Sequence, residues 1–177
     1  VLTGELESTN EAYAIAKISI SRLCEYIYKE SNQFCFKTLI PSNLYGKYDK
    51  FDPKHSHLIP AIIHKMYQSK INNLDSVEIW GDGKARREFM YANDLVDIIA
   101  KCVDNYDILP IRMNVGLGKD HTVNEYYKCA AEVIQYDGKL INNLEKPVGM
   151  NRKLLNNDTQ IEMGWPALTS LKEGIQD

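Results

Sequence analysis

"SVEIWGDGKARREFMYANDLVDIIAKCVDNYDILPIRMNVG", residues 76–116, reads as strand, turn, strand, helix and strand in succession. "SVEIW" (76–80) and "REFMY" (87–91) carry the branched and aromatic residues that suit a pleated surface. "GDGKAR" (81–86) separates them with turn residues. "NDLVDIIAKCVDNY" (93–106) has helical apolar spacing, and "RMNVG" (112–116) returns to a short strand. Strands alternating with helices in this way indicate an α/β protein with a largely parallel sheet.

The alternation continues outward. Upstream, "NEAYAIAKISISRLCEYIYKES" (10–31) places Ala14, Ile18, Leu23 and Ile27 close to helical period, with Asn10 as N-cap. "FCFKTLI" (34–40) reads as a strand stopped by Pro41, and residues 41–56 read as loop from their Pro, Gly, Asn and Asp content. "LIPAIIHKMYQSK" (58–70) forms a helix that tolerates Pro60 because it lies in the first turn. Downstream, a helix opens at Thr122 and closes near Gly138, and two short helical stretches surround Thr159 and Leu171.

The 177 residues are enough to bury a core, and the hydrophobic and charged fractions are those of a globular protein. A net charge of −3 without a basic stripe argues against nucleic acid as a partner. No apolar run reaches the length of a membrane span, so a membrane is not expected either. Cys24, Cys35, Cys102 and Cys129 show no metal-site spacing and read as reduced thiols of a cytoplasmic protein. "VLTGELESTN" is no signal peptide, and no initiator methionine precedes it. No Gly-rich dinucleotide turn follows any strand: "GLGKD" (116–120) is too short and "GDGKA" (81–85) lies between two strands. Any pyrophosphate loop is therefore expected before Val1.

Tyr13 and Lys17 stand at i and i+4, where one helical face can present both to a cleft. An ammonium beside a phenol suits the pair to proton transfer, although the spacing alone equally describes a packed ring beside a solvated lysine. "PSNLYG" (41–46) lies at the carboxyl end of a strand, where open parallel sheets bind ligands.

Five collinear blocks decide between those readings: "NEAYAIAK" (10–17), "PSNLYGKYDKFDPKHSHLIPA" (41–61), "VEIWGDGKARREFMYANDL" (77–95), "NVGLGKDHTVNE" (114–125) and "MGWPALTSLKEGI" (163–175). Together they resemble the extended short-chain dehydrogenase/reductase family, in particular the epimerase-reductases of GDP-4-keto-6-deoxy sugars. The resemblance implies the C-terminal part of a doubly wound Rossmann-like domain plus a smaller mixed α/β substrate domain. Residues 1–45 would end the dinucleotide-binding domain and residues 46–177 would mainly bind substrate, with 92–116 packing back on the former. It implies NADPH as cofactor, a GDP-sugar as substrate, a homodimer built partly through the Tyr13 helix, and C4 reduction coupled to 3,5-epimerisation.

By the same resemblance Tyr13 would give the proton to the C4 oxygen while Lys17 binds the nicotinamide ribose. Pro41, Ser42, Asn43 and Leu44 would line the nicotinamide site, and His57 would lie beside the cofactor as the epimerisation acid. Lys65, Trp80 and Arg87 would contact the nucleotide sugar, Arg87 through its diphosphate. Arg86 points to the opposite strand face, so only one of the two arginines should serve. His55, His64 and His121 are expected at the surface. The family's epimerising cysteine, catalytic serine and glycine loop would all precede Tyr13.

"KPVGMNRKL" (146–154) departs from the family in carrying Val148 where aspartate is usual. That departure keeps open a plain C4 reductase of a related GDP-sugar such as a heptose. A reading from another class is a non-catalytic binding protein on a decayed reductase fold.

Overall fold

The computed structural model describes residues 4–6, 8–31, 34, 36–52 and 55–177. Helix α1 (Glu11–Glu30) precedes strands β1 (Thr38–Pro41) and β2 (Asn43–Tyr45), and α2 (Leu58–Ile71) leads into β3 (Ser76–Trp80). Strands β4 (Arg86–Arg87) and β5 (Phe89–Tyr91) run into α3 (Ala92–Asp104), followed by β6 (Arg112–Val115) and β7 (His121–Thr122). Helix α4 (Val123–Ile134), β8 (Lys139–Asn143), β9 (Arg152–Lys153), α5 (Asp158–Glu162) and α6 (Leu171–Gln176) complete the order.

Pairing is parallel for β1 with β6, β2 with β5, β3 with β8 and β4 with β9, and among the described residues only β4 with β7 is antiparallel. The extended run 38–45 changes partner across Ser42, from β6 before it to β5 after it. Ser42 thus lies where two strand pairs diverge, a geometry that opens a crevice in α/β sheets.

Two apolar clusters flank β5, whose alternating side chains divide between them. Phe89 and Tyr91 join Tyr45, Ile59, Met66 and Tyr126 on one side. Met90 joins Ile98, Met113, Val115 and Trp165 on the other.

Several local expectations change. The first strand begins at Thr38, and it includes Pro41 instead of ending before it; Cys35 lies outside the described residues. Residues 43–45 form β2 within the supposed loop, because they pair in parallel with β5, and the Asn43 side chain adds a bond to the Glu88 carbonyl at 2.9 Å. Helix α4 ends at Ile134, where Gln135 takes a left-handed conformation with φ of 56°, and "KLINN" then forms β8. Along α1 the buried positions are Ser21 and Glu25, while Leu23 is 57% exposed. Glu25 is held there by Arg22, Lys29 and, from β6, Arg112 at 2.9 Å. Cys24, Cys102 and Cys129 are free thiols. Among the described residues no helix is long and apolar enough to cross a membrane.

Candidate active site

Helical spacing brings Tyr13 and Lys17 together as expected: the ammonium lies 5.5 Å from the ring centroid. Both side chains are exposed, Tyr13 by 67%. Helix α1 is joined to the sheet further along, through the Glu25–Arg112 ion pair.

The 41–44 segment takes its place from backbone pairing. Ser42 donates its amide to the Val115 carbonyl at 2.8 Å, and its buried hydroxyl has no hydrogen-bond partner among the described residues. Burying such a group unpaired costs about 1–3 kcal/mol, so it stands ready for a polar ligand atom. Asn43 is fixed by Glu88, Leu44 packs into the second apolar cluster, and Pro41 is exposed at the strand end. The buried, unpaired Ser42 hydroxyl and the Asn43 side chain are groups of a kind that can hold the polar edge of a ligand. His57 occupies the N-cap position of α2, exposed, with an extended ψ of 172° and no side-chain capping bond.

On the other side of β5, Trp80 ends β3 with its ring 57% exposed, and Lys146 lies 5.6 Å from that ring's centroid. Val148 covers the neighbouring Gly81, its Cγ2 standing 2.8 Å from where a Cβ on Gly81 would be. Arg87 reaches the same segment, with Nη2 3.6 Å from the corresponding position on Gly149. Trp80, Arg87 and residues 146–149 therefore converge.

The two arginines of β4 separate as strand alternation requires. Arg86 donates to Asp120 through Nε at 2.8 Å, whereas the Arg87 guanidinium donates to the Arg86 carbonyl at 2.7 Å and forms no ion pair among the described residues. A half-buried guanidinium without a carboxylate is suited to an incoming anion. Lys65 is less open, since its ammonium donates to the Glu78 carbonyl. Burial pulls the Lys65 ammonium below the usual lysine range, against the opposing attraction of Glu78.

Three residues absent from the sequence reading hold this frame. Asp120, 5% exposed, accepts from both Arg86 and Arg152, and those two hydrogen bonds hold its carboxyl below the usual aspartate range. Gln160, fully buried, accepts from the Gly116 amide at 2.8 Å and donates to the Gly116 and Trp165 carbonyls. Glu88, 1% exposed, accepts the amides of Gly118 and Leu155, both at 2.8 Å. His121 is half-buried, with its ring edge-on to Tyr126 at 5.6 Å, and burial lowers its pKa. Among the described residues no cluster of His, Cys, Asp or Glu could hold a metal ion.

The chain is 53% identical over 175 residues to "GDP-L-colitose synthase" of Yersinia pseudotuberculosis, covering 99% of this chain and 57% of that protein. It is 48% identical over 176 residues to "GDP-L-fucose synthase" of Azorhizobium caulinodans, covering 99% and 56%. The chain thus spans little more than half the length of these curated relatives. Among solved structures, a GDP-mannoheptose C4 reductase from Campylobacter jejuni with NADP bound superposes with a TM-score of 0.84 at 28% identity, covering 98% of this chain and 60% of that one. Residues 1–116, from the Tyr13 helix through the β1–β6 pair, match the model described as NAD dependent epimerase/dehydratase, and the chain belongs to that family.

Proposed function

We propose that the full-length protein reduces the C4 keto group of a GDP-4-keto-6-deoxy sugar with NADPH, coupled to 3,5-epimerisation, to give GDP-L-fucose. The observation that carries this reading is the meeting of Lys17 with Tyr13 on the open face of α1. The relatives named GDP-L-colitose synthase and GDP-L-fucose synthase support the substrate class. The NADP-bound neighbour supports the cofactor.

In this reading bound NADPH supplies the hydride to C4. Tyr13 donates its phenolic proton to the C4 oxygen as negative charge develops there, leaving the sugar C4 as a carbinol. Lys17 holds the ribose and stabilises the phenolate that remains. Pro41, Ser42, Asn43 and Leu44 would line the nicotinamide site, and His57 would supply a proton during epimerisation. Arg87 binds the diphosphate, Trp80 covers the nucleotide beside Lys146, and Lys65 lines the same wall. Residues 1–45 complete the dinucleotide domain, which 92–116 rejoins through the β1–β6 pairing, and the remainder of 46–177 forms the substrate domain. The protein is cytoplasmic in this account, in keeping with its three free described cysteines. It is a homodimer through α1, whose Ile15, Ile20, Leu23 and Tyr26 are each at least half exposed.

A second reading, C4 reduction of a GDP-heptose without epimerisation, is favoured by Val148 on Gly81 and by the heptose reductase among the structural neighbours. Assaying the full-length protein with both keto sugars tests the choice. NADPH oxidation with GDP-4-keto-6-deoxymannose accompanied by solvent exchange at C3 and C5 supports the first reading, and turnover of the heptose substrate alone supports the second. Titration of NADPH without any change in its fluorescence would refute both and leave a non-catalytic binding protein.

A further inference from the structure

We infer that Glu88 is a positioning residue that locks the nicotinamide-lining segment to the diphosphate arginine; this rests on the functional reading above. Glu88 is the residue next to Arg87, yet its carboxylate turns inward, 1% exposed and without an ion-pair partner among the described residues. Backbone amides alone hold it: Gly118 donates to Oε1 and Leu155 to Oε2, each at 2.8 Å. Its main-chain carbonyl accepts the side-chain amide of Asn43 at 2.9 Å, and its main-chain amide donates to the Lys153 carbonyl at 3.1 Å.

One residue therefore joins three chain segments to its own strand. Asn43 belongs to the proposed cofactor wall, and Gly118 to the loop after β6. Lys153 and Leu155 follow the 146–149 strap that Arg87 touches. The loop after β6 is also fitted to the carboxylate sterically, because a Cβ on Gly116 would stand 2.3 Å from Oε1. On its far side Gln160 clamps the same Gly116 through two bonds. The carboxylate is thus confined by the Gly116 backbone on one side and by the Gly118 and Leu155 amides it accepts, next to the strand position of Arg87.

A carboxylate is required here because both inward amides need acceptors at once. Glutamine offers one oxygen and one NH2 group, so one amide would face a donor and the loop would have to move. Hydride transfer needs the sugar carbon and the nicotinamide in near-attack geometry, and a displacement of about 1 Å can cost on the order of 100-fold in rate. The expected consequence of Glu88→Gln is a fall in kcat of about 10-fold to 100-fold with NADPH affinity preserved.

The test compares full-length wild type, Glu88→Gln and Gly116→Ala, well below their melting temperatures, measuring NADPH binding by fluorescence and turnover with GDP-4-keto-6-deoxymannose. Gly116→Ala displaces the carboxylate by contact while keeping its charge, and provides an independent reading if Glu88→Gln fails to fold. The inference is supported if either folded variant binds NADPH like wild type, loses kcat, and shows faster hydrogen exchange at the Gly118 and Leu155 amides. Folded variants with wild-type kcat and KM and only a lowered Tm would overturn it, since that is the behaviour of a purely structural carboxylate. Inactivity of the wild type itself would instead refute the functional reading on which the inference stands.

Discussion

Replacing Asp120 with asparagine removes one negative charge from a place where two arginines meet. Asp120 accepts from Arg86 at 2.8 Å and from Arg152, so the change affects both neighbours of the strap that borders the site. Bonds to a charged group contribute about 1.5–3 kcal/mol when buried. Here the arginine side chains are 38% and 58% exposed, which draws each contact toward the range of about 0.2–1 kcal/mol measured for open pairs. Asparagine also keeps one acceptor oxygen. The net loss is therefore about 1 kcal/mol, or roughly 2–4 °C in Tm for a chain of this size.

The pH dependence follows from the direction of the shift. Asp120 has its folded pKa below the unfolded value, because Arg86 and Arg152 donate to its ionised form. Its stabilisation is thus fully present above the unfolded pKa of about 3.9 and is lost as pH falls through the folded pKa. Thermal melts followed by circular dichroism should show the wild type and Asp120→Asn separated at pH 7 and converging as pH drops below about 4. A separation that persisted unchanged into acid, or none at pH 7, would refute the reasoning.

Arg87→Met should raise the KM for the GDP-sugar roughly 10-fold to 100-fold while leaving NADPH binding near wild type, the loss expected for one charge-assisted contact; an unchanged KM would place the diphosphate elsewhere. Tyr13→Phe should abolish turnover in the full-length protein with cofactor affinity retained, and wild-type turnover in that variant would move the proton donor to another residue. Gly83→Ala should destabilise the fold by about 2–4 kcal/mol, read from denaturant midpoints. Gly83 has φ of 67°, and a Cβ there would lie 1.9 Å from the Asn124 side chain, which is itself bonded to the Asp82 carbonyl.

The elements whose character depends on apolar periodicity were legible from sequence: α2, β3, β5 and α3 fall where spacing and branched residues place them. β2 and β8 were not, because Asn43 and the paired asparagines of "KLINN" carry turn composition. Their pairing comes instead from β5 and β3, distant in sequence. Tyr13, Lys17, Trp80 and Arg87 could be named as candidates only through the five collinear blocks, since each residue type alone equally describes a packed ring or a solvated charge. Glu88 was hidden, since a glutamate following two arginines reads as a solvated charge. Its burial depends on amides 30 and 67 residues away. Glu25 was concealed in the same way: the Leu23 stripe suggested an apolar inner face, whereas an arginine from β6 draws the carboxylate inward.

The most direct measurement is an NMR product assay of the full-length protein with NADPH and GDP-4-keto-6-deoxymannose in deuterium oxide. Formation of GDP-L-fucose carrying deuterium at C3 and C5 is expected. A C4 alcohol without deuterium at those carbons, or no reduction of this substrate, would contradict the proposed epimerase-reductase.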